Sequence, residues 1–317
     1  MIFGIYPGGM TGSPSGMTTG PQDDPKKISE ALNQLHGSAP SFLIRAYAGY
    51  KGPGLPTTLV PDDPLQYLTA GRTLDLVLCF QSDDADLRGW KEFIREQVKK
   101  YHSHLRYLQI TEEANVNLPS LDGFYSNSRR ALVDGIVFAK DEIRSAGLAT
   151  EVGFNAAPDF NPDRLFWKEI RSLATPDFYR SLDYVGLDCF PDVFRPLPRD
   201  SDGKLVTYEP LRQLISFFRN EIAGAGIRTD IPLHITENGW PTRTGRTAHE
   251  QSLALDAIIR AIHSMRSEFH IRTYEMFDLR DAASNAGDIF YGFGIMNDDY
   301  TPKPAFETYC SLISELS

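Results

Sequence analysis

Eight times along this chain a short apolar or β-branched run is followed by a longer amphipathic pattern, and the order holds from end to end. The runs predict strands at Ile2 to Tyr6, Phe42 to Ala46, Leu74 to Phe80, Tyr107 to Thr111, Glu151 to Asn155, Tyr184 to Asp188, Leu233 to Thr236 and Arg272 to Asp278. The helical patterns start near Pro25, Pro64, Asp86, Gly123, Asn161, Tyr208, Ala248 and Lys303, several with proline or an acidic residue in the first turn. Right-handed crossovers put every helix outside and every strand inside, so eight such units close a parallel sheet on itself. The expectation is α/β: a single (β/α)8 barrel, the fold of TIM, with one catalytic domain over residues 1–317. An open doubly wound sheet needs fewer units and a phosphate-binding turn after an early strand. The Gly-rich first loop, PGGMTGSPSGMTTGPQDD, has neither a following Lys-Ser/Thr pair nor a GxGxxG pattern, so it reads as a flexible loop.

Composition narrows the partners. With 41% hydrophobic and 23% charged residues the chain has the usage of a packed globular domain. Its formal charge of −10 repels phosphate backbones and anionic bilayers, so neither nucleic acid nor a membrane is an expected partner. Cys79, Cys189 and Cys310 lie far apart in apolar stretches and read as buried thiols rather than a disulfide framework. No apolar run reaches spanning length, and MIFGIYPGG is not a signal peptide, so the expected location is the cytoplasm, or outside the cell after removal of a leader.

Loop lengths indicate which rim works. Helix-to-strand links such as HGSAP and GLATE are short, whereas FPDVFRPLPRDSDGKLV and DAASNAGDIFYGFGIMNDDYT, which follow strands, are long and rich in Gly, Pro, Asp and aromatics. A barrel keeps its chemistry at the carboxyl ends of its strands. There, strand four runs into Gln109-Ile110-Thr111-Glu112-Glu113-Ala114-Asn115 and strand seven into Leu233-His234-Ile235-Thr236-Glu237-Asn238-Gly239-Trp240-Pro241. Period-two alternation places Leu233, Ile235 and Glu237 on the inner face, and puts Gln109, Thr111 and Glu113 together on one face. Strands four and seven face one another across the ring, so Glu113 and Glu237 converge. Two carboxyls about 5 to 5.5 Å apart suit retaining glycoside hydrolysis, one attacking the anomeric carbon and the other donating and then removing a proton. Arg45, at the end of strand two, can supply a cation to the nucleophile. A bulge at a strand end shifts alternation by one, which leaves Glu112 as the other candidate acid.

These stretches resemble clan A glycoside hydrolases, in which strand four ends in Asn-Glu-Pro with an acid/base Glu and strand seven in a nucleophilic Glu, often within Glu-x-Gly-Trp. The matching stretches are Glu112-Glu113-Ala114-Asn115 and Glu237-Asn238-Gly239-Trp240. Arg45 matches the clan's arginine on strand two, and GIMNDDYTPKPAFETY its closing stretch. The resemblance implies a retaining glycosidase acting on a glycoside, oligosaccharide or polysaccharide, with Glu237 as nucleophile, Glu113 as acid/base, and no metal or organic cofactor. Three departures stand out: Glu112 replaces an asparagine that contacts the sugar, Asp188 and Phe190 stand where His and Tyr are frequent, and Phe277 stands where a Trp platform is typical.

Sugars stack their C–H faces on aromatic rings and need planar or charged partners for hydroxyls. Tyr6, Tyr47, Phe190, Trp240 and Phe277 can stack, and Asn115, Asp188, Asp278, Arg280 and Asp281 can bind hydroxyls or one another. A metal-dependent barrel enzyme would want imidazoles or carboxylates clustered at the strand carboxyl ends, but His36, His102, His104 and His270 lie on the approach to strands, His263 is in a helical pattern, His234 is mid-strand, and His249 alone is near the upper face. A Schiff-base aldolase would want a strand-end lysine. A barrel that binds carbohydrate without turning it over is the alternative from another class, with Glu112 as its motive.

Overall fold

The computed structural model describes residues 1–69, 71–161 and 163–317. Eight parallel strands form the barrel: β1 (Ile2–Ile5), β2 (Phe42–Tyr50), β3 (Arg72–Phe80), β4 (Leu105–Ile110), β5 (Glu151–Ala156), β6 (Tyr184–Asp188), β7 (Leu233–Asn238) and β8 (Ile271–Met276). Each pairs with its sequence neighbour, and β1 pairs with both β2 (Phe3↔Phe42) and β8 (Ile2↔Thr273), which closes the ring. Eight α-helices surround it among the described residues: α1 (Pro25–His36), α2 (Arg88–Tyr101), α3 (Ser128–Ser145), α4 (Phe166–Leu173), α5 (Pro176–Ser181), α6 (Tyr208–Gly224), α7 (Ala248–Ser264) and α8 (Pro304–Leu316).

The helix ends follow from local chemistry. Asp24 caps α1 by accepting from the amides of Lys26 and Lys27 while Pro25 opens the first turn, and Thr247 with Glu250 forms a reciprocal capping box on α7. The expected helix near Pro64 is only a 3-10 turn, Pro64–Tyr67. Strand β2 runs on to Tyr50, beyond the expected Ala46, and its extension pairs antiparallel with Thr58–Val60, so a β-arm takes up the chain that a helix would have used. The segment after β5 carries two helices where one was expected, since Pro176, with Thr175 as its cap, divides the helical run into α4 and α5.

Most aliphatic residues of the strands face the helices, not the barrel axis. Leu233 and Ile235 belong to the large apolar layer shared with α1 to α8. The axis instead holds Leu43, Tyr107, Tyr184 and His234, whose imidazole stacks on Tyr184 at 4.1 Å and meets Tyr107 edge-on at 4.7 Å. The expected inner face of β7, Leu233 and Ile235, is therefore wrong by one residue, because the helical layer needs the aliphatics of every strand. Above this floor the interior is polar. Arg45, Asp75, Gln109, Asn155, Asp188 and Glu275 are all buried there.

Candidate active site

Glu237 reaches the mouth through a bulge. Strand β7 pairs with β6 as Ile235↔Leu187 and then Glu237↔Asp188, which leaves Thr236 as an extra residue and lets both Thr236 and Glu237 turn inward. The Thr236 hydroxyl donates to Asp188 at 2.7 Å, and the Tyr47 hydroxyl donates to Glu237 at 2.5 Å.

Strand β4 solves the same problem with backbone strain. Thr111 and Glu113 have φ of 68° and 42°, a region costly for side chains with a Cβ, and Thr111 turns its hydroxyl back onto the Ile110 carbonyl. The predicted common face of Gln109, Thr111 and Glu113 is therefore broken at Thr111. In exchange, the consecutive Glu112 and Glu113 both enter the cleft. Asp122 holds this turn, accepting from the amides of Glu112 at 2.8 Å and Phe80 at 2.6 Å, while Asn155 accepts from the amide of Glu113 at 2.8 Å.

Arg45 organises the cluster. Its guanidinium donates to Tyr47 (2.8 Å), Asp75 (3.1 Å), Gln109 (3.0 Å) and Glu112 (3.3 Å), and lies 3.8 Å from Glu237. Glu112 also accepts from Gln109 (2.8 Å) and Asn155 (2.9 Å), and Asn155 donates to Asp188 as well. Glu112, Asp188 and Glu237 bring carboxylate oxygens within 4.8 Å of one another, a spacing that could hold a cation. Arg45, Gln109, Asn155 and Thr236 donate to both oxygens of Glu112 and of Asp188, and Tyr47 donates to Oε1 of Glu237, so the arrangement is a hydrogen-bonded carboxylate cluster.

The two predicted catalytic carboxyls stand in different electrostatic surroundings. Burial first, then the charges of Glu112 and Glu237, push Glu113 well above the ordinary carboxyl range, with only Arg45 opposing from a distance. Burial and Glu112 push Glu237 up to about 8, against Arg45 and the Tyr47 hydroxyl, which favour its charged form. Burial, then Glu237, also raises Asp188. Glu113 is thus the better proton holder and Glu237 the better-stabilised anion.

Glu112, Glu113, Glu237, Tyr47, Asp188, Phe190 and Phe277 all line one cavity of about 1330 Å³ at the carboxyl rim. Arg45 lies beneath it, fully buried. Four expectations are corrected. Trp240 is 2% exposed and packs under a loop, its indole N–H donating to Asp192 at 3.1 Å and its ring covered by Arg246, because the chain turns away from the cleft after the bulge. Asn115 is spent on the next loop, donating to the Ala157 carbonyl at 2.8 Å and accepting its amide at 3.1 Å. Asp278 is 1% exposed and does not line the cavity. Arg280 and Asp281 pair with Asp23 and Lys303.

Sequence reasoning missed Gln109, Asn155 and Asp75. Asp75 carried a signal, a charge amid the apolar run Leu74-Asp75-Leu76-Val77-Leu78, which marks a buried ion pair. The antiparallel arm and the β1 hairpin, Gly12–Ser13 with Gly16–Met17, also shape the cleft.

No protein-family model matches this sequence, and neither does any curated protein. Solved structures do. The GH39 enzyme from Xanthomonas axonopodis pv. citri superposes with a TM-score of 0.60 at 14% identity, over 100% of this chain and 66% of that one. A GH2 beta-galacturonidase from Eisenbergiella tayi gives 0.58 at 15% identity, over 91% of this chain and 46% of that one. Plant beta-glucan endohydrolases give 0.62 at 13% identity, over 90% and 96%. The chain thus spans less than two thirds of the first two proteins. At these identities the likeness is one of fold: the chain is a (β/α)8 barrel of the kind these glycoside hydrolases have.

Proposed function

We propose that this chain is a retaining glycoside hydrolase in which Glu237 attacks the anomeric carbon and Glu113 protonates the departing oxygen. The glycosidic C–O bond breaks as the Glu237 ester forms, and the aglycone leaves with the Glu113 proton. Water, losing its proton to Glu113, then attacks the same carbon, the ester bond breaks to release Glu237, and the carbon, inverted once in each step, keeps its configuration overall. The observation that carries this reading is the asymmetry of the pair. Glu237 is held by the Tyr47 hydroxyl and faces Arg45, whereas Glu113 has its backbone fixed by Asn155 and its carboxyl pushed toward the neutral form. The barrel likeness to glycoside hydrolases supports a carbohydrate substrate.

Glu112 and Asp188 line the same cavity as acceptors for sugar hydroxyls, with Phe190 and Phe277 as apolar faces. Arg45 acts as a positioning residue. Tested on aryl glycosides of several sugars, Glu237→Gln is expected to lower kcat by at least about 10⁴-fold. Glu113→Gln should cost about 10²–10⁴-fold, less for leaving groups that need no proton. Sugar binding with no turnover by the unaltered protein would favour the non-catalytic barrel instead.

A further inference from the structure

The cavity has two unlike halves. On one side the β1 hairpin crosses to the loop after β4, where the Ser120 hydroxyl donates to the Ser13 carbonyl at 3.3 Å. Lys51 donates to Gln81, and Gln81 donates to the Ser120 carbonyl at 3.1 Å, so hairpin, β2 arm, β3 end and β4 loop are stitched into one wall. Thr58 and Asp62 of the arm segment add further polar groups to the cavity lining. This half offers Lys51, Gln81, Thr58 and Asp62 as hydroxyl partners, next to the exposed side chains of Met10 and Met17.

The other half is built from the loops after β5 and β6 and from α6. Phe160 stacks on Phe217 at 4.8 Å and 23°, and the Arg195 guanidinium lies 4.1 Å over the Phe160 ring. Phe194 meets Phe190 and Phe290 with ring centroids 6.0 Å away and is itself 58% exposed. Of the polar side chains here, Asp159 is half-buried and Asn161, Arg195 and Gln213 are exposed to water. A phenylalanine left this open beside a catalytic cavity is surface that a ligand can cover at a gain.

Orientation follows from chemistry. A sugar ring needs the hydroxyl partners of the walled half, and the group beyond the scissile bond must leave past the acid. Glu113 stands between the two halves: its own loop runs on to Ser120 in the walled half, and the paired Asn115–Ala157 hydrogen bonds tie it to the loop at residues 157–161 in the aromatic half. Resting on the glycosidase reading above, we propose that the leaving group is a flat, apolar aglycone, aromatic or arylalkyl, received by the open ring of Phe194 with Phe190 beside it and the edges of the stacked Phe160 and Phe217, and that the enzyme removes a terminal sugar from such glycosides instead of cutting within a polysaccharide.

The test first finds the sugar with a panel of 4-methylumbelliferyl glycosides, then compares the methyl glycoside, the 2-phenylethyl glycoside and a disaccharide of that sugar. The first two have alkyl leaving oxygens of similar basicity, so their difference reports binding of the aglycone. The 2-phenylethyl glycoside should exceed the methyl glycoside in kcat/KM by about 20-fold, as burial of a phenyl ring predicts, and should also exceed the disaccharide. In Phe194→Ala, and further in Phe160→Ala/Phe194→Ala, the phenylethyl-to-methyl ratio should fall below about 5 as that burial is lost. A ratio near one in the unaltered protein, a ratio unmoved by Phe194→Ala, or a disaccharide as best substrate overturns the aglycone assignment and leaves the glycosidase reading standing. Failure to hydrolyse any glycoside overturns both.

Discussion

At the residue scale the account turns on how one guanidinium is shared. Arg45 faces Asp75, Glu112 and Glu237, three carboxyls against one positive charge, so the charged form of Glu237 also depends on the short hydrogen bond from Tyr47. The proposed mechanism needs an ionised nucleophile and a protonated acid, so it predicts that activity falls as pH drops through the Glu237 value and as it rises through the Glu113 value. Both are raised by burial, which places the acid limb far above the ordinary carboxyl range, near pH 8. Tyr47→Phe removes a donor to the anion, so the acid limb of kcat/KM should move up by about one pH unit and activity at pH 7 should fall about 10-fold or more. A pH profile of the variant checks this, and an unmoved limb would mean that Tyr47 does not hold the nucleophile.

At the element scale, strand order, the rim that carries the large cavity and the two glutamate-bearing strand ends were legible in the sequence, because each rests on periodicity and loop length. The fine aim of the side chains was not. Simple alternation assigned β7 to the wrong face, and Glu237 is brought inward only because Thr236 is bulged. The left-handed turn at Thr111 has no mark in its sequence, since threonine is not a residue that invites it. Trp240, in the most specific motif, proved to be a packing residue for the same reason: the chain leaves the rim right after the bulge. Gly239 makes that departure tight, for a Cβ there would lie 2.0 Å from the Phe277 carbonyl oxygen, which is backbone and cannot step aside. Gly239→Ala should therefore lose about 1–3 kcal/mol in urea unfolding and lower activity by shifting Glu237. Gly224→Ala, at the end of α6 with nothing within 4 Å of its added Cβ, should be neutral or stabilising by up to about 1 kcal/mol. Equal effects would remove the argument that the β7 exit is sterically set.

At the scale of the molecule, the barrel axis is a reservoir of buried carboxyls. Burial raises Glu113, Asp188, Glu275 and Asp278, and brings Asp122 up to about 8. A carboxyl whose folded value is raised binds its proton more tightly in the fold, so it adds stability at low pH that is lost as pH climbs from about 4 toward about 8. The melting temperature should accordingly be higher at pH 5.5 than at pH 8 by more than about 3 °C, the reverse of a protein held by salt-bridged carboxylates. Calorimetry at the two pH values checks the sign. The central claim is that Glu237 is the atom donor in a covalent step, and the direct measurement is labelling with 2-deoxy-2-fluoro glycosides followed by peptide mass analysis. The account predicts one glycosyl ester per chain, on Glu237, absent in Glu237→Gln; a label on any other residue with Glu237 unmodified would contradict it.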